Sequence, residues 1–360
     1  MFSRIVDAIA PSTPFVGPEE LERRQRRAFL VRVGANESAF GISAAARDAM
    51  SKVLSLVSHY GDPENFDLRS ELARQNGVAI DNVLIGSGID DLFALLVHAL
   101  IDPGAAVVTS LGSYPTFNYF VVGYGGSLHK VPYQGDLVDL KRLAHEAKSV
   151  DARLVYLANP DNPTGTFHGR DDVRQFVELI PKGCVLVLDE AYLDFVPRDD
   201  LIPIDCENST VVRLRTFSKA HGMAGMRIGY ALASHDLIAG FNKVRIQFGV
   251  NRLAQIGALA SLRDPAFVAQ VVDEVSHGRA DYERIGRELG VRTLESHTNF
   301  VSFDFESSER AETVLTELLR RGVFVRSGAP PFDRLVRVTV GTKAERATFE
   351  PIFRSVVNDS

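Results

Sequence analysis

Between about residue 39 and residue 235, short apolar runs alternate with stretches of helical period, and this rhythm limits the chain to few folds. The runs at 83–85, 105–109, 154–157, 185–188 and 211–214 are continuous and apolar or β-branched, with polar or glycine-containing turns at their ends. Unbroken runs of this length suit parallel strands covered on both faces. Between them, residues 136–149 present Leu137, Leu140, Leu143 and Ala144, and residues 171–180 present Val173, Phe176, Val177 and Ile180. Spacings of three and four place each set on one helical face. The alternation predicts an α/β fold, an open sheet with helices on both sides, and leaves the strand order open. A further strand is expected over 228–233.

After about residue 260 the pattern changes. A charged helical stretch over 265–289 precedes strands at 291–294 and 300–305, a helix at 311–321 ended by Gly322, and strands at 323–325 and 335–340. This predicts a smaller α+β unit, and 360 residues suit two domains better than one. Near the start, residues 11–27 carry three prolines and then a dense run of Glu and Arg. They predict an arm lying on another surface, with a short helix from Pro18. The first residues lack the basic segment and apolar run of a secretion signal, and no apolar stretch is long enough to predict a membrane span. A formal charge of −6 gives no reason to expect nucleic acid or an anionic membrane as a partner. Cys184 and Cys206 are the only cysteines, one in an expected strand and one in a polar turn. Neither a disulfide nor a metal site is expected, and a reducing cytoplasm is the default location.

The residues that carry chemistry stand where the apolar runs end. Lys219 follows Ser218, and Arg227 lies eight residues on, between the expected strands at 211–214 and 228–233. This suits an enzyme that holds a phosphorylated aldehyde: the lysine forms an imine, while hydroxyl and guanidinium hold the phosphate. After 83–85, Gly86-Ser87-Gly88-Ile89-Asp90-Asp91 opens a helix expected at 92–99, where backbone amides favour an anion. Asp189 leaves the run at 185–188, and a carboxylate there needs a strong partner, such as a protonated ring nitrogen. Glu190 reads as structural, and Tyr192 is placed to point a phenol into the same pocket. The turn Asn159-Pro160-Asp161-Asn162-Pro163-Thr164-Gly165 would hold Asn162 toward a ligand oxygen. Tyr114 offers an aromatic face to a planar cofactor. Each segment also has a plainer use, as a surface loop, a helix cap, a turn or simple packing.

Taken in order, Asn36-Glu37, Tyr60, 86–91, Tyr114, 159–165, 189–192, 218–227 and 335–342 resemble the fold-type I pyridoxal-phosphate aminotransferases. The similarity spans nearly the whole chain and is closest to the histidinol-phosphate aminotransferase branch. The resemblance implies a large domain over 36–260 with a mostly parallel seven-stranded sheet. It also implies a small α+β domain from 1–35 and 261–360, its N-terminal arm folded over the active site or a dimer partner. Lys219 would carry the pyridoxal 5′-phosphate as an imine, Asp189 would meet the pyridine nitrogen, Asn162 and Tyr192 the ring oxygen, and Tyr114 the ring face. Gly88, Ile89, Asp90, Ser218 and Arg227 would form the phosphate end. Tyr60 would reach the cofactor of the second subunit in a homodimer. Asn36, Asn299 and Arg337 would bind substrate, with Arg337 on its distal anion.

The implied reaction is ping-pong transfer of an amino group between an amino donor and a 2-oxo acid such as 2-oxoglutarate. Several positions depart from the branch: Phe15-Val16-Gly17-Pro18, Ser38-Ala39-Phe40, Gly112 and His221. They are expected around the substrate pocket, so histidinol phosphate and an aromatic amino acid both stand as donors. Decarboxylation on the same scaffold is a further alternative. A regulator that binds the cofactor would need an attached DNA-binding segment.

Overall fold

Alternation inside the apolar runs builds the two faces of the central sheet. Leu154, Tyr156 and Ala158 pack into one cluster with Val185 and Val187, whereas Val155, Leu157, Leu186 and Leu188 face the opposite cluster. Successive side chains of a strand point to opposite faces, so a run apolar at every position is covered on both. The computed structural model describes residues 1–9 and 16–360. Residues 10–15 of the expected arm, Phe15 among them, lie outside the described residues.

The seven strands lie side by side in the order Val83–Gly86, Gly229–Leu232, Val211–Thr216, Val185–Asp189, Leu154–Ala158, Ala106–Ser110 and Ser127–Val131. Gly229–Leu232 is antiparallel to both neighbours, and the pairs from Val211–Thr216 to the far edge are parallel. The edge strand Ser127–Val131 is absent from the sequence expectations. It buries only Val131 fully and carries His129 and Lys130, so no continuous apolar run marks it. The helix expected at 136–149 begins four residues later, at Leu140–Ser149. The Asp139 side chain accepts from Arg142 N as its N-cap, and Gln134 and Leu137 form an isolated bridge before it. Leu137 is accordingly exposed rather than on the helical face.

The second unit is a four-stranded antiparallel sheet, Arg326–Ser327, Leu335–Thr339, Phe300–Asp304 and Arg292–Thr293. Its largest helix, Pro265–Leu289, starts with an Asp264 cap and Pro265 in the first turn and stops at Gly290, whose φ is +67°. Val271, Val275, Tyr282 and Ile285 of that helix join Phe300, Phe303, Phe349 and Phe353 in one core. Near the N-terminus, Pro18–Gln25 forms the expected short helix. Val31–Arg32 then pairs in parallel with Val323–Phe324, and Val33 O accepts from Thr339 N at 2.7 Å. This pairing carries Asn36 to the mouth of the large sheet. Among the described residues, no helix is long and apolar enough to cross a membrane.

Candidate active site

Parallel strands of one sheet end on the same side, and connections leaving those ends form a cavity of ≈ 340 Å³. Tyr114 follows Ala106–Ser110, Asn162 follows Leu154–Ala158, Asp189 ends its strand, and Ser218 and Lys219 follow Val211–Thr216. All of these line the cavity, together with Asn36, Ile89, Asp90, Tyr192, Arg227 and, from the small sheet, Arg337.

Lys219 lies at the centre. Its Nζ donates to Asn36 O at 2.9 Å and sits 5.5 Å from the centre of the Tyr192 ring. Burial, and then the Arg337 cation, push its pKa down to about 8. The chain can turn there because Asn36 takes a left-handed φ of +54°, and Gly222, φ +71°, passes within contact of the backbone of Gly41. A Cβ on Gly222 would sit 1.7 Å from Gly41 O, so only glycine fits.

Asp189 is 5% exposed and accepts from Tyr156 OH at 2.8 Å and Ala191 N at 3.0 Å. Burial pushes its carboxyl up to about 7, even against those two bonds. The neighbouring Glu190 is buried against Arg213 at 2.5 Å and Arg215 at 2.7 Å. Burial alone would raise Glu190, but the two guanidiniums outweigh it and hold the carboxyl below its usual range. Two adjacent carboxylates thus have opposite settings, one neutralised internally and one directed into the cavity. Tyr192 OH accepts from Asn36 Nδ2 at 2.9 Å and Asn162 Nδ2 at 3.5 Å, which leaves its own hydrogen to donate.

At one end of the cavity, Gly88 opens the helix Ile89–Leu100 with φ +87° and no side-chain cap. The guanidinium of Arg227 lies over Gly88 and 3.4 Å from Asp90, and Tyr114 OH reaches Asp90 at 3.4 Å. Arg227 itself has a left-handed φ of +52°, a conformation that costs energy outside glycine and here turns its side chain back toward the helix start. Ser218 Oγ accepts from Thr216 Oγ1 at 2.9 Å. Amides of a first helical turn, a hydroxyl and a guanidinium together make an anion site.

At the other end, Arg337 is buried and has no carboxylate partner among the described residues. It donates to Asn162 Oδ1 and to Gly34 O at 3.4 Å, and its Nε has no hydrogen-bond partner among the described residues. Arg326 stands directly across the sheet from Arg337, so both project to one face. Burial, then the neighbouring Arg337, push Arg326 down to about 10.

The structure thus gathers eleven of the sequence-derived site residues around one cavity and leaves three off its lining. Tyr60 is 76% exposed, its ring 4.7 Å from that of Phe248. Gly88 lies behind Arg227. Asn299 donates to Asn36 O and Glu37 O instead of facing the cavity. The departures Gly112 and His221 also stay off the lining. Gly112 packs beside Phe332 with φ +97°, and His221 Nδ1 pairs with Ser261 Oγ at 2.7 Å. Sequence reasoning missed Tyr156 and Thr216 on the lining, and Arg326 behind it opposite Arg337. Tyr156 left a signal, a phenol inside a doubly covered strand that needs a buried partner. Arg326 left none, because its relation to Arg337 depends on strand register.

The profile of the family "Aminotransferase class I and II" matches residues 30–349. A curated histidinol-phosphate aminotransferase 2 of Carboxydothermus hydrogenoformans is 37% identical, over 97% of this chain and 97% of its own. The crystal structure of histidinol-phosphate aminotransferase from Sinorhizobium meliloti in complex with pyridoxal-5′-phosphate superposes with a TM-score of 0.96. It is 39% identical and covers 99% of this chain and 98% of that one. Aspartate aminotransferase from Thermus thermophilus with maleate, 24% identical at a TM-score of 0.82, covers 99% and 98% and shares the fold. The chain belongs to the class I and II aminotransferases, pyridoxal-phosphate-dependent enzymes of fold type I.

The residues fit that cofactor. A pyridinium would give the buried Asp189 carboxylate its cation, and the anion site at the start of Ile89–Leu100 suits the phosphate. Tyr192 has a hydrogen to offer the ring oxygen, and Lys219 is near enough to its neutral form to attack an aldehyde at moderate pH.

Proposed function

We propose that the chain transfers the amino group of a phosphorylated amino alcohol, histidinol phosphate, to a 2-oxo acid. The observation that supports this choice is the buried guanidinium of Arg337 on the cavity lining, with Arg326, off the lining and donating to Val16 O at 2.9 Å, directly opposite it on the neighbouring strand. A guanidinium recognises a phosphate through paired bonds, and a second cation close by adds to its attraction for a dianion. The names of the similar proteins point the same way.

Pyridoxal phosphate, when bound, supplies an aldehyde carbon that exchanges amines and a ring that takes up the electron pair of the substrate Cα–H bond. Asp189 would keep the ring nitrogen protonated. Its two donors, Tyr156 and Ala191, fix the carboxylate so that pairing needs no rearrangement. Lys219 Nζ takes the Cα proton and returns it. A pKa of about 8 gives an amine that both accepts and releases a proton near neutrality. Asn162 and Tyr192 would hold the ring oxygen, Tyr114 would cover the ring, and Ser218, Arg227 and the amides after Gly88 would hold the phosphate. Arg337 binds the substrate's distal anion, assisted by Arg326.

We further propose a large domain over 36–260, a small one from 1–35 and 261–360, and a homodimer in which Tyr60 reaches the second cofactor site. Leu54, Leu56, Val57, Tyr60, Ile246 and Phe248 are all exposed, and the Tyr60–Phe248 contact joins the two segments into one apolar face. The free thiols Cys184 and Cys206 fit a cytoplasmic enzyme. The deciding experiment is a single-turnover half-reaction with histidinol phosphate, phenylalanine, tyrosine, aspartate and alanine, read by conversion of the cofactor to its amine form. Preference for histidinol phosphate supports the proposal. Preference for phenylalanine or tyrosine replaces it with an aromatic aminotransferase, and carbon dioxide release without the amine form replaces it with a decarboxylase.

A further inference from the structure

Asn299 is 2% exposed, and its Nδ2 donates to two successive carbonyls, Asn36 O at 3.1 Å and Glu37 O at 3.3 Å. Asn36 O also accepts from Lys219 Nζ at 2.9 Å. One carbonyl oxygen, with its two lone pairs, thus takes one proton from a fixed amide and one from the reactive lysine. Asn36 itself is in the left-handed region, φ +54°, which asparagine tolerates better than most residues.

Every other polar group of Asn36 is also committed. Its N–H donates to Thr339 Oγ1 at 3.0 Å, its Oδ1 accepts from the same hydroxyl at 3.1 Å, and its Nδ2 donates to Tyr192 OH at 2.9 Å. Asn299 is held just as firmly, since its own carbonyl accepts from Val340 N at 2.8 Å. Arg279 pins the preceding loop through Ser296 O at 2.8 Å and Thr298 O at 3.3 Å. The side-chain Oδ1 of Asn299 makes no hydrogen bond among the described residues. Rotating the amide to satisfy it would aim that oxygen at two carbonyl oxygens, so the carbonyls set its orientation.

We propose that Asn299 is a positioning residue for Lys219: it fixes the Asn36 carbonyl on which the lysine amine docks, and it does not bind substrate. During amino transfer the amine must leave the cofactor, remain within reach of two carbons and carry a proton between them. The lysine stem is long and flexible, and a carbonyl held in place limits where its Nζ can wait. The inference rests on the proposed role of Lys219 as the proton carrier.

The test uses Asn299→Leu, close in size but without donors, and Asn299→Ser, which returns one donor. In the loaded enzyme, single-turnover half-reactions are run with donor deuterated at Cα. In the cofactor-free enzyme, labelling of Lys219 by an amine reagent is followed against pH by peptide mass spectrometry. The expected result for Asn299→Leu is a proton-transfer rate lower by about tenfold, or about 1.4 kcal/mol. The isotope effect should rise, KM for each donor should stay within about twofold, and Lys219 labelling should shift. Asn299→Ser should recover part of each change, and it carries the same measurements if the leucine variant does not fold. A raised KM with an unchanged rate overturns the inference in favour of substrate contact, as do an unaltered isotope effect and labelling profile. Failure of the underlying reading looks different, because Lys219→Ala would then keep its turnover.

Discussion

Replacing Asp189 by Asn should stabilise the cofactor-free enzyme and damage the loaded one. The Asn side chain keeps both local bonds, its Oδ1 accepting from Ala191 N and its Nδ2 donating to Tyr156, whose hydroxyl can turn to accept. Only the buried charge is removed. Burial raises the Asp189 pKa from 3.8 to about 7 in the fold. Between those values the folded state binds the additional proton, so its stability is fully present below 3.8 and falls as pH rises to about 7. About three pH units at ~1.4 kcal/mol each make a cost of about 4 kcal/mol above neutrality. At about pH 5 only ~1.5 kcal/mol of that cost has accrued. Urea unfolding of cofactor-stripped wild type and variant should therefore show a gain of up to about 4 kcal/mol near pH 8 that shrinks toward ~1.5 kcal/mol near pH 5. In the loaded enzyme the sign reverses, because removing one partner of a buried ion pair costs about 3–5 kcal/mol. A stripped variant destabilised equally at both pH values would refute the argument that Asp189 is a buried charge awaiting a cation.

Lys219→Ala should abolish turnover and the absorbance of lysine-bound cofactor while leaving non-covalent binding, as spectra and equilibrium dialysis would show; near-normal turnover would remove the assignment. Arg337→Ala should leave the cofactor spectrum in place but weaken amino donor and 2-oxo acid alike by about 2–5 kcal/mol in half-reaction kinetics. Unchanged kinetics for every substrate would mean the anion is held elsewhere. Tyr60→Phe should cost about 1.5–3 kcal/mol in cofactor affinity, with activity falling on dilution to monomers; a fully active monomer in sedimentation would exclude a cross-subunit role.

Short-range chemistry was legible in the sequence. The doubly covered strands follow from unbroken apolar runs, and the placing of Asn162, Asp189, Ser218 and Lys219 follows from their position just past those runs. The end of the helix Ser308–Arg320 ahead of Gly322, φ +86°, follows from residue type. Edge strand Ser127–Val131 escaped because a strand with one neighbour needs no apolar run. The late start of Leu140–Ser149 depended on which of several polar residues would cap it, a choice decided by the bridge at Gln134 and Leu137.

Contacts between residues far apart in the chain were decided only by the tertiary structure. Tyr156 supports Asp189 because two parallel strands align Ala158 with Asp189, bringing their same-face side chains together. Arg326 stands beside Arg337 through antiparallel register, and a slip of one residue would send it to the opposite face. Asn299 reaches Asn36 across 263 positions, so its type alone did not separate a substrate ligand from a support of the lysine's acceptor. Periodicity and turn chemistry are set by neighbours in sequence, whereas the partner of a buried polar group is set by where the packed sheets bring distant backbone together.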